Sequence, residues 1–324
     1  MTDVLKETCR SFRAIRHMQA LTSTIRSAQK IGLFEALRHQ QQSIEQLTRH
    51  THTDRVTIEN ICRLLIAFGV IEQYGEDIAL SNGAALQLEG DPTFNSYLFT
   101  HVDQYVLQEK PNYDLNEFRR RLAGRQWSYS AAARQAAKVI KSGNERMSTK
   151  MLELGCLTGV WSAAIAFMDE NLEITSVDSS EFLAISRTTF ESVDLGERRT
   201  EIEANYRAYD PELASYDVVL FAEGLQLEDD ASAVVLLGRC ADSLRVGGEI
   251  IIIEPLMETG DGQDVSVAAH ALEVAMSTPG RTRSAVQIQQ LLTGAGFQTA
   301  RWATLTADDQ GLGLVIAKRS DLLS

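Results

Sequence analysis

Positive charge is short in this sequence: 31 Lys and Arg stand against 44 Asp and Glu in 324 residues, a formal net charge of -13. A surface that neutralises phosphates must be basic, so nucleic acid is not expected as the main partner. Cysteine is scarce as well. Cys9, Cys62, Cys156 and Cys240 are scattered and form no Cys-x-x-Cys pair, which suggests neither a disulfide framework nor a zinc site and leaves reduced thiols in packed positions. No apolar run approaches the roughly 20 residues of a membrane-crossing helix. The opening MTDVLKETCRSFRAIRH is polar and lacks the apolar stretch of a signal peptide, so the expected compartment is the cytoplasm, with no membrane partner. There is no internal repeat and no low-complexity tract. What remains, 44% hydrophobic and 23% charged residues, is the composition of an ordinary globular chain, long enough for two domains with separate cores.

The first 90 residues are read as one domain. Thr24 to Arg38 puts Ile25, Ala28, Ile31, Leu33, Phe34 and Leu37 on one helical stripe, and Ser43 with Gln46 has the spacing of a capping box that opens a second helix. A third helix carries Ile58, Cys62, Leu65 and Phe68, then Gly69 interrupts it and a short strand pair from Val70 to Leu80 turns at Gly75. Three helices and a hairpin make a winged helix. A winged helix invites a DNA-binding reading, but Arg55 and Arg63 are the only cations from Asp54 to Gly69, beside Asp54 and Glu59, which is poor equipment for reading a groove. The expected use is instead pairing with a second copy, the segment Met1 to Ala20 with Phe12, Ile15 and Met18 packing on the partner of a homodimer.

Residues 91–150 read as an irregular helical layer, broken at Pro92 and Pro111. Its Phe94, Tyr97, Phe99, Tyr105, Tyr113, Trp127 and Tyr129 would line a substrate cavity or simply fill the gap between domains. Residues 151–324 alternate short branched runs (Met151 to Leu154, Glu173 to Val177, Asp217 to Phe221, Glu249 to Ile253) with helical stretches such as Trp161 to Met168 and Ala231 to Leu244. That alternation builds a parallel sheet with helices on both faces and a ligand crevice at the carboxyl ends of the strands. Leu312 to Ala317 is expected as a last, antiparallel strand.

Within this domain the segment Met-Leu-Glu-Leu-Gly-Cys-Leu-Thr-Gly, Met151 to Gly159, runs from a strand through a glycine turn into a helix, so backbone N–H groups can approach a ligand closely. About twenty residues on, the next strand ends in Asp178, where a carboxylate can accept both hydroxyls of a ribose. Together these residues resemble the first motif of the class I S-adenosylmethionine-dependent O-methyltransferase family, small-molecule type. Glu153, Gly155 and Gly159 match its acid-x-Gly-x-Gly-x-Gly run, while Leu157 replaces the middle glycine. Further matches run along the chain: Ile31-Gly-Leu-Phe34, Leu64 to Ile71, Leu244 to Pro255, Gly280-Arg-Thr-Arg-Ser284 and Leu291 to Phe297.

The resemblance implies a Rossmann-like α/β methyltransferase domain behind an all-α, winged-helix dimerisation domain, with S-adenosylmethionine as cofactor and a small aromatic or polyketide-like acceptor of secondary metabolism. It puts the cofactor's methionine portion on Glu153, Gly155, Leu157 and Gly159, its ribose on Asp178 and its adenine at Asn205 and Tyr206, with no metal. Where the family carries its catalytic histidine, this chain has Gln226, an amide that can orient a substrate but cannot take its proton. Catalysis would then rest on alignment of nucleophile, methyl and sulfur. Glu254, Glu228 and His101 are conceivable substitute bases, although each has an ordinary reading, Glu228 as an exposed charge at a helix start. Leu157 brings a branched side chain to a backbone that can need a conformation cheap only for glycine. Two alternatives stay open: an enzyme of this fold catalysing rearrangement, hydroxylation or decarboxylation, and a non-catalytic binding or scaffold homologue that has lost the cofactor.

Overall fold

The computed structural model describes residues 3–85, 114–126, 128–142, 150–257, 265–307 and 311–320. The chain divides into two compact units, Met1–Asn95 and Ser96–Ser324.

In the first unit helix α1 spans Asp3–Lys30 and α2 Leu33–Leu37. The single stripe expected from Thr24 to Arg38 is therefore two helices. Gly32 takes a left-handed φ of 77°, which redirects the chain while Leu33, Phe34 and Leu37 still face inward. Helix α3 (Ile44–Thr51) starts at the expected box: Gln46 N–H donates to Ser43 Oγ at 3.3 Å and Ser43 N–H to Gln46 Oε1 at 2.7 Å. Helix α4 (Arg55–Ala67) is capped by Asp54, whose Oδ1 accepts from Thr57 N–H at 3.0 Å. Strands β2 (Ile71–Tyr74) and β3 (Asp77–Leu80) form the hairpin around Gly75, and β1 (Gln42–Ser43) adds to β3, giving the order β1-β3-β2. Leu33, Leu47, Ile58, Leu65 and Ile78 close the core between helices and hairpin. Both arginines of α4 turn to Glu59, so the helix offers no free cation for a phosphate.

The second unit holds a seven-stranded sheet. Its strands are β4 (Lys150–Leu154), β5 (Glu173–Asp178), β6 (Arg199–Glu203), β7 (Tyr216–Ala222), β8 (Leu244–Pro255), β9 (Phe297–Thr304) and β10 (Leu312–Arg319), in the order β6-β5-β4-β7-β8-β10-β9. The first five are parallel; β10 enters antiparallel between β8 and β9, as expected. Edge strands β6 and β9 carry alternating charged or polar residues and escaped the apolar pattern. The central strands are covered on both faces, which is why they read as unbroken branched runs such as Ile250 to Ile253. One face takes helices α6 (Ser130–Ser142) and α7 (Val160–Met168), with Tyr129 against Trp161 at 5.8 Å between ring centroids; the other takes α9 (Asp230–Ser243) and α11 (Ala285–Gly294). Helices α5 (Leu115–Gln126), α8 (Ser180–Glu191) and α10 (Val265–Ser277) complete the unit around the strand tips. Strand order reverses at β4, so the crevice opens beside its carboxyl end. Cys62, Cys156 and Cys240 are free and buried. Among the described residues no helix is long and apolar enough to cross a membrane. Phe94, Tyr97, Phe99, His101, Tyr105, Tyr113 and Trp127 lie outside the described residues.

Candidate functional site

The carboxyl ends of β4 and β5 carry the predicted glycine turn and acid. Gly155 and Gly159 both adopt φ 70°, and a Cβ on Gly159 would stand 2.1 Å from Ser186 Oγ, so glycine is required there for conformation and for space. Leu157 between them takes φ 47°, the left-handed conformation that a branched side chain adopts at a cost of about 1–2 kcal/mol. Its side chain is buried in an apolar cluster with Phe118, Leu122, Phe182, Leu183, Leu227 and Val274, and this burial offsets the strain.

Asp178 at the tip of β5 is fully buried. Its Oδ1 accepts from Ser179 N–H at 2.7 Å, and its Oδ2 from Leu157 N–H at 3.3 Å and from Arg119 Nη2 at 2.6 Å. The Arg119 guanidinium lies over the rings of Phe182 (4.2 Å) and Tyr206 (4.8 Å). Tyr206 covers Gly155, with ring atoms 3.4–3.5 Å from the position of a Cβ, and burial pushes its phenol up to about 12; among the described residues its hydroxyl has no hydrogen-bond partner. Asn205 Oδ1 accepts from Arg207 N–H at 3.1 Å. Asp178, Asn205, Tyr206, Glu203, Arg119 and Leu227 are among the walls of an open cavity of about 680 Å³. Glu153 sits apart from it, below the turn, accepting from Ser176 Oγ at 2.6 Å, and burial raises its carboxyl above the usual range.

A second polar cluster joins the tips of β7 and β8 to α5 and α10. Gln126 Oε1 accepts from both Thr158 Oγ1 (2.7 Å) and Thr158 N–H (3.2 Å), and its Nε2 donates to Glu223 Oε2 at 2.5 Å. Gln226 lies on the 3-10 turn Leu225–Leu227 after β7 and is fully buried: its N–H donates to Glu254 Oε1 at 2.7 Å, and its Nε2 to Glu223 O at 3.4 Å. Its Oε1 is 2.6 Å from His270 Nε2. Because Arg125, a donor only, faces His270 Nδ1 at 3.2 Å, the ring proton stands on Nε2 and points to Gln226. Burial, with Arg125 adding to it, holds His270 neutral, its pKa down at about 3. Burial pushes the Glu254 carboxyl up to about 8, and its Oε2 has no partner among the described residues. Glu228, expected as an exposed charge, is buried instead and pairs with Arg207 at 2.6 Å. Arg283, wholly buried, donates to Leu225 O and Glu228 O and so holds this turn in place.

Sequence reasoning missed Arg119, Arg125, Gln126, His270 and Arg283. For the first three the only signal was the helix LNEFRRRLAGRQ itself, too polar to be buried without fixed partners, yet the site for burial of Phe118, Arg119, Arg121 and Leu122.

A glycine turn after the central strand and an acid at its neighbour's tip, on a sheet ordered this way, define a nucleotide-binding α/β domain whose ligand lies across the strand ends. The comparisons with known proteins specify it. The family model described as O-methyltransferase domain matches residues 114–298, more than half of the chain, and the chain belongs to that family. It is similar, at 21% identity over 90% of its length and 92% of the relative's, to phenazine-1-carboxylate N-methyltransferase of Pseudomonas aeruginosa. Over 46% of its length and 40% of the relative's it is 28% identical to aclacinomycin 10-hydroxylase RdmB of Streptomyces purpurascens. Among solved structures, human N-acetylserotonin methyltransferase in complex with SAM shares the fold with a TM-score of 0.75, at 15% identity, over 99% of this chain and all of that one. The chain is thus an S-adenosylmethionine-dependent methyltransferase by family, and S-adenosylmethionine is its cofactor. The donor set around the cavity fits the adenosyl portion: a carboxylate for hydroxyls, an amide beside an aromatic ring, and an orphaned phenol at the wall. In this conformation, however, Arg119 holds the carboxylate.

Proposed function

We propose that the protein transfers a methyl group from S-adenosylmethionine to a small aromatic or polyketide-like acceptor of secondary metabolism. The observation that carries this reading is the cavity of about 680 Å³ in which Asp178, at the tip of β5, and Asn205 and Tyr206, just past the tip of β6, converge. Asp178 would accept from the ribose, Asn205 from the adenine amino group through its carbonyl, and Tyr206 would pack on the ring. The turn Gly155, Leu157 and Gly159 would bear the methionine portion, with Glu153 supporting it from below through Ser176. When bound, the cofactor supplies an activated methyl on a sulfonium.

The chain's own contribution is positioning and exclusion of water. Gln226 has no proton-accepting site in the useful range, and His270 beside it stays neutral with its lone pair on Nδ1 taken by Arg125. Neither group is a base, so acceptors that lose a proton readily, an acidic phenol or an amine already neutral, suit the site best. Glu254, its carboxyl pushed up to about 8 by burial, fixes the turn by accepting from Gln226 N–H. The name of the Pseudomonas relative, an N-methyltransferase, agrees with an acceptor that needs no base.

A second reading, a non-methylating reaction on the same fold, is favoured by the absence of a base at residue 226 and by the likeness to a hydroxylase. Incubation with S-adenosylmethionine and a panel of phenolic and heteroaromatic acceptors separates the two. Release of S-adenosylhomocysteine in step with acceptor loss supports methyl transfer; product formed without such release supports the second reading. The dimer is part of the proposal. Phe12, Ile15 and Met18 stand exposed at three-residue intervals on α1, an apolar edge suited to a second copy of the helix. Light scattering at micromolar concentration should give the mass of two chains, and a single-chain mass would contradict it.

A further inference from the structure

Three consecutive arginines on α5 each reach a different acid across the site: Arg119 to Asp178, Arg120 to Glu181 on α8, and Arg121 to Glu273 on α10. Arg120 and Arg121 fasten the helix. Arg119 does something else, since its guanidinium occupies the carboxylate that the ribose would use, over the rings of Phe182 and of Tyr206, a wall of the cavity.

We infer that Arg119 is an internal occupant of the ribose position, a side chain that must leave Asp178 before an adenosyl ligand seats and that therefore sets how tightly this chain holds its cofactor. The inference rests on the reading of Asp178 as the ribose acceptor. An ion pair with one partner wholly buried and the other 8% exposed is screened little by salt, and Oδ2 of Asp178 already accepts from both Arg119 and Leu157 N–H, which leaves a single lone pair, on Oδ1; the carboxylate cannot accept both hydroxyls of a ribose while Arg119 stays. Displacement is feasible because Glu203 and Asp114 wall the same cavity and offer the guanidinium a second acidic berth. The arrangement makes the empty site electrostatically satisfied, in contrast to a free buried carboxylate, and opposes the binding of any neutral diol by the strength of one charge-assisted hydrogen bond.

The test is calorimetric titration of S-adenosylhomocysteine into the full chain and into Arg119→Gln, which removes the charge while keeping an amide of similar reach. The expected result is at least tenfold tighter binding by the variant. Equal or weaker binding by the variant, with the parent binding normally, overturns the inference and leaves the adenosyl reading standing; no binding by either overturns both. Should Arg119→Gln fold poorly, the parent alone decides. The Arg119 side-chain N–H resonances, protected in the free protein by Asp178, should shift and exchange faster on saturation with S-adenosylhomocysteine, and saturation without any change at them refutes the displacement.

Discussion

Leu157 offers the sharpest quantitative test of the turn. Truncating a buried leucine to alanine costs about 2.7–5 kcal/mol, depending on how far the surroundings collapse, and Leu157 is enclosed by Phe118, Leu122, Phe182 and Leu183. Leu157→Ala keeps a Cβ at φ 47° and with it the left-handed penalty of about 1–2 kcal/mol. Leu157→Gly loses the same side chain but relieves that penalty, against roughly 0.5–1 kcal/mol for the extra freedom of glycine in the unfolded chain. The glycine variant should therefore match the alanine variant or exceed it by up to about 1.5 kcal/mol, although both fall below the parent. At an ordinary loop position the order is reversed. Urea unfolding at equilibrium, comparing midpoints at a common slope, reads the difference directly. An alanine variant more stable than the glycine variant by about 1 kcal/mol would show that residue 157 is not left-handed, and the account of this turn would fail with it.

Other substitutions probe the surrounding groups. Because burial lifts the folded-state pKa of Glu254 to about 8 from an ordinary 4.5, the folded protein keeps a proton that the unfolded chain releases; the stabilisation is full below pH 4.5 and is lost as pH rises towards 8. Glu254→Gln should flatten the fall in stability over that range in thermal unfolding, and an unchanged pH slope would contradict the burial argument. Gly159→Ala puts a Cβ 2.1 Å from Ser186 Oγ at a left-handed position and should cost about 2 kcal/mol or more, partly restored by Ser186→Gly. Gln226→His places an imidazole against His270 Nε2–H, which can orient it; S-adenosylhomocysteine release with phenolic acceptors should rise, and no gain at any pH would mean that the pocket is remodelled around the amide.

Elements that obey a simple period were legible before any coordinates. The box Ser43–Gln46, the turn at Gly75, the four parallel core strands and the antiparallel last strand follow from local chemistry, and so does the pairing of a glycine turn with Asp178. Strands β6 and β9 were hidden because edge strands carry Thr200, Glu203, Gln298 and Arg301 facing water, which erases the apolar signal. The site was half legible. Residues 153–159 and 178 lie on consecutive elements, whereas the partners that determine their state come from far along the chain: Arg119 is 59 residues from Asp178, and His270 is 44 from Gln226. Nothing in a helix as polar as Leu115–Gln126 announces that Arg119 and Arg121 are buried, because that depends on acids supplied by other segments. Gln226 was correctly seen to lack a base's chemistry, but its enclosure by His270, Glu223 and Glu254 is a product of tertiary packing alone.

The central claim is that the carboxylate at the tip of β5 holds the cofactor's ribose. Titration of S-adenosylmethionine into the parent and Asp178→Ala, each first shown by circular dichroism to be folded, measures it most directly. Loss of hydrogen bonds to an ionised acceptor, about 1.5–3 kcal/mol, predicts that the variant binds at least tenfold more weakly. Unchanged affinity in Asp178→Ala would place the cofactor elsewhere and contradict the assignment.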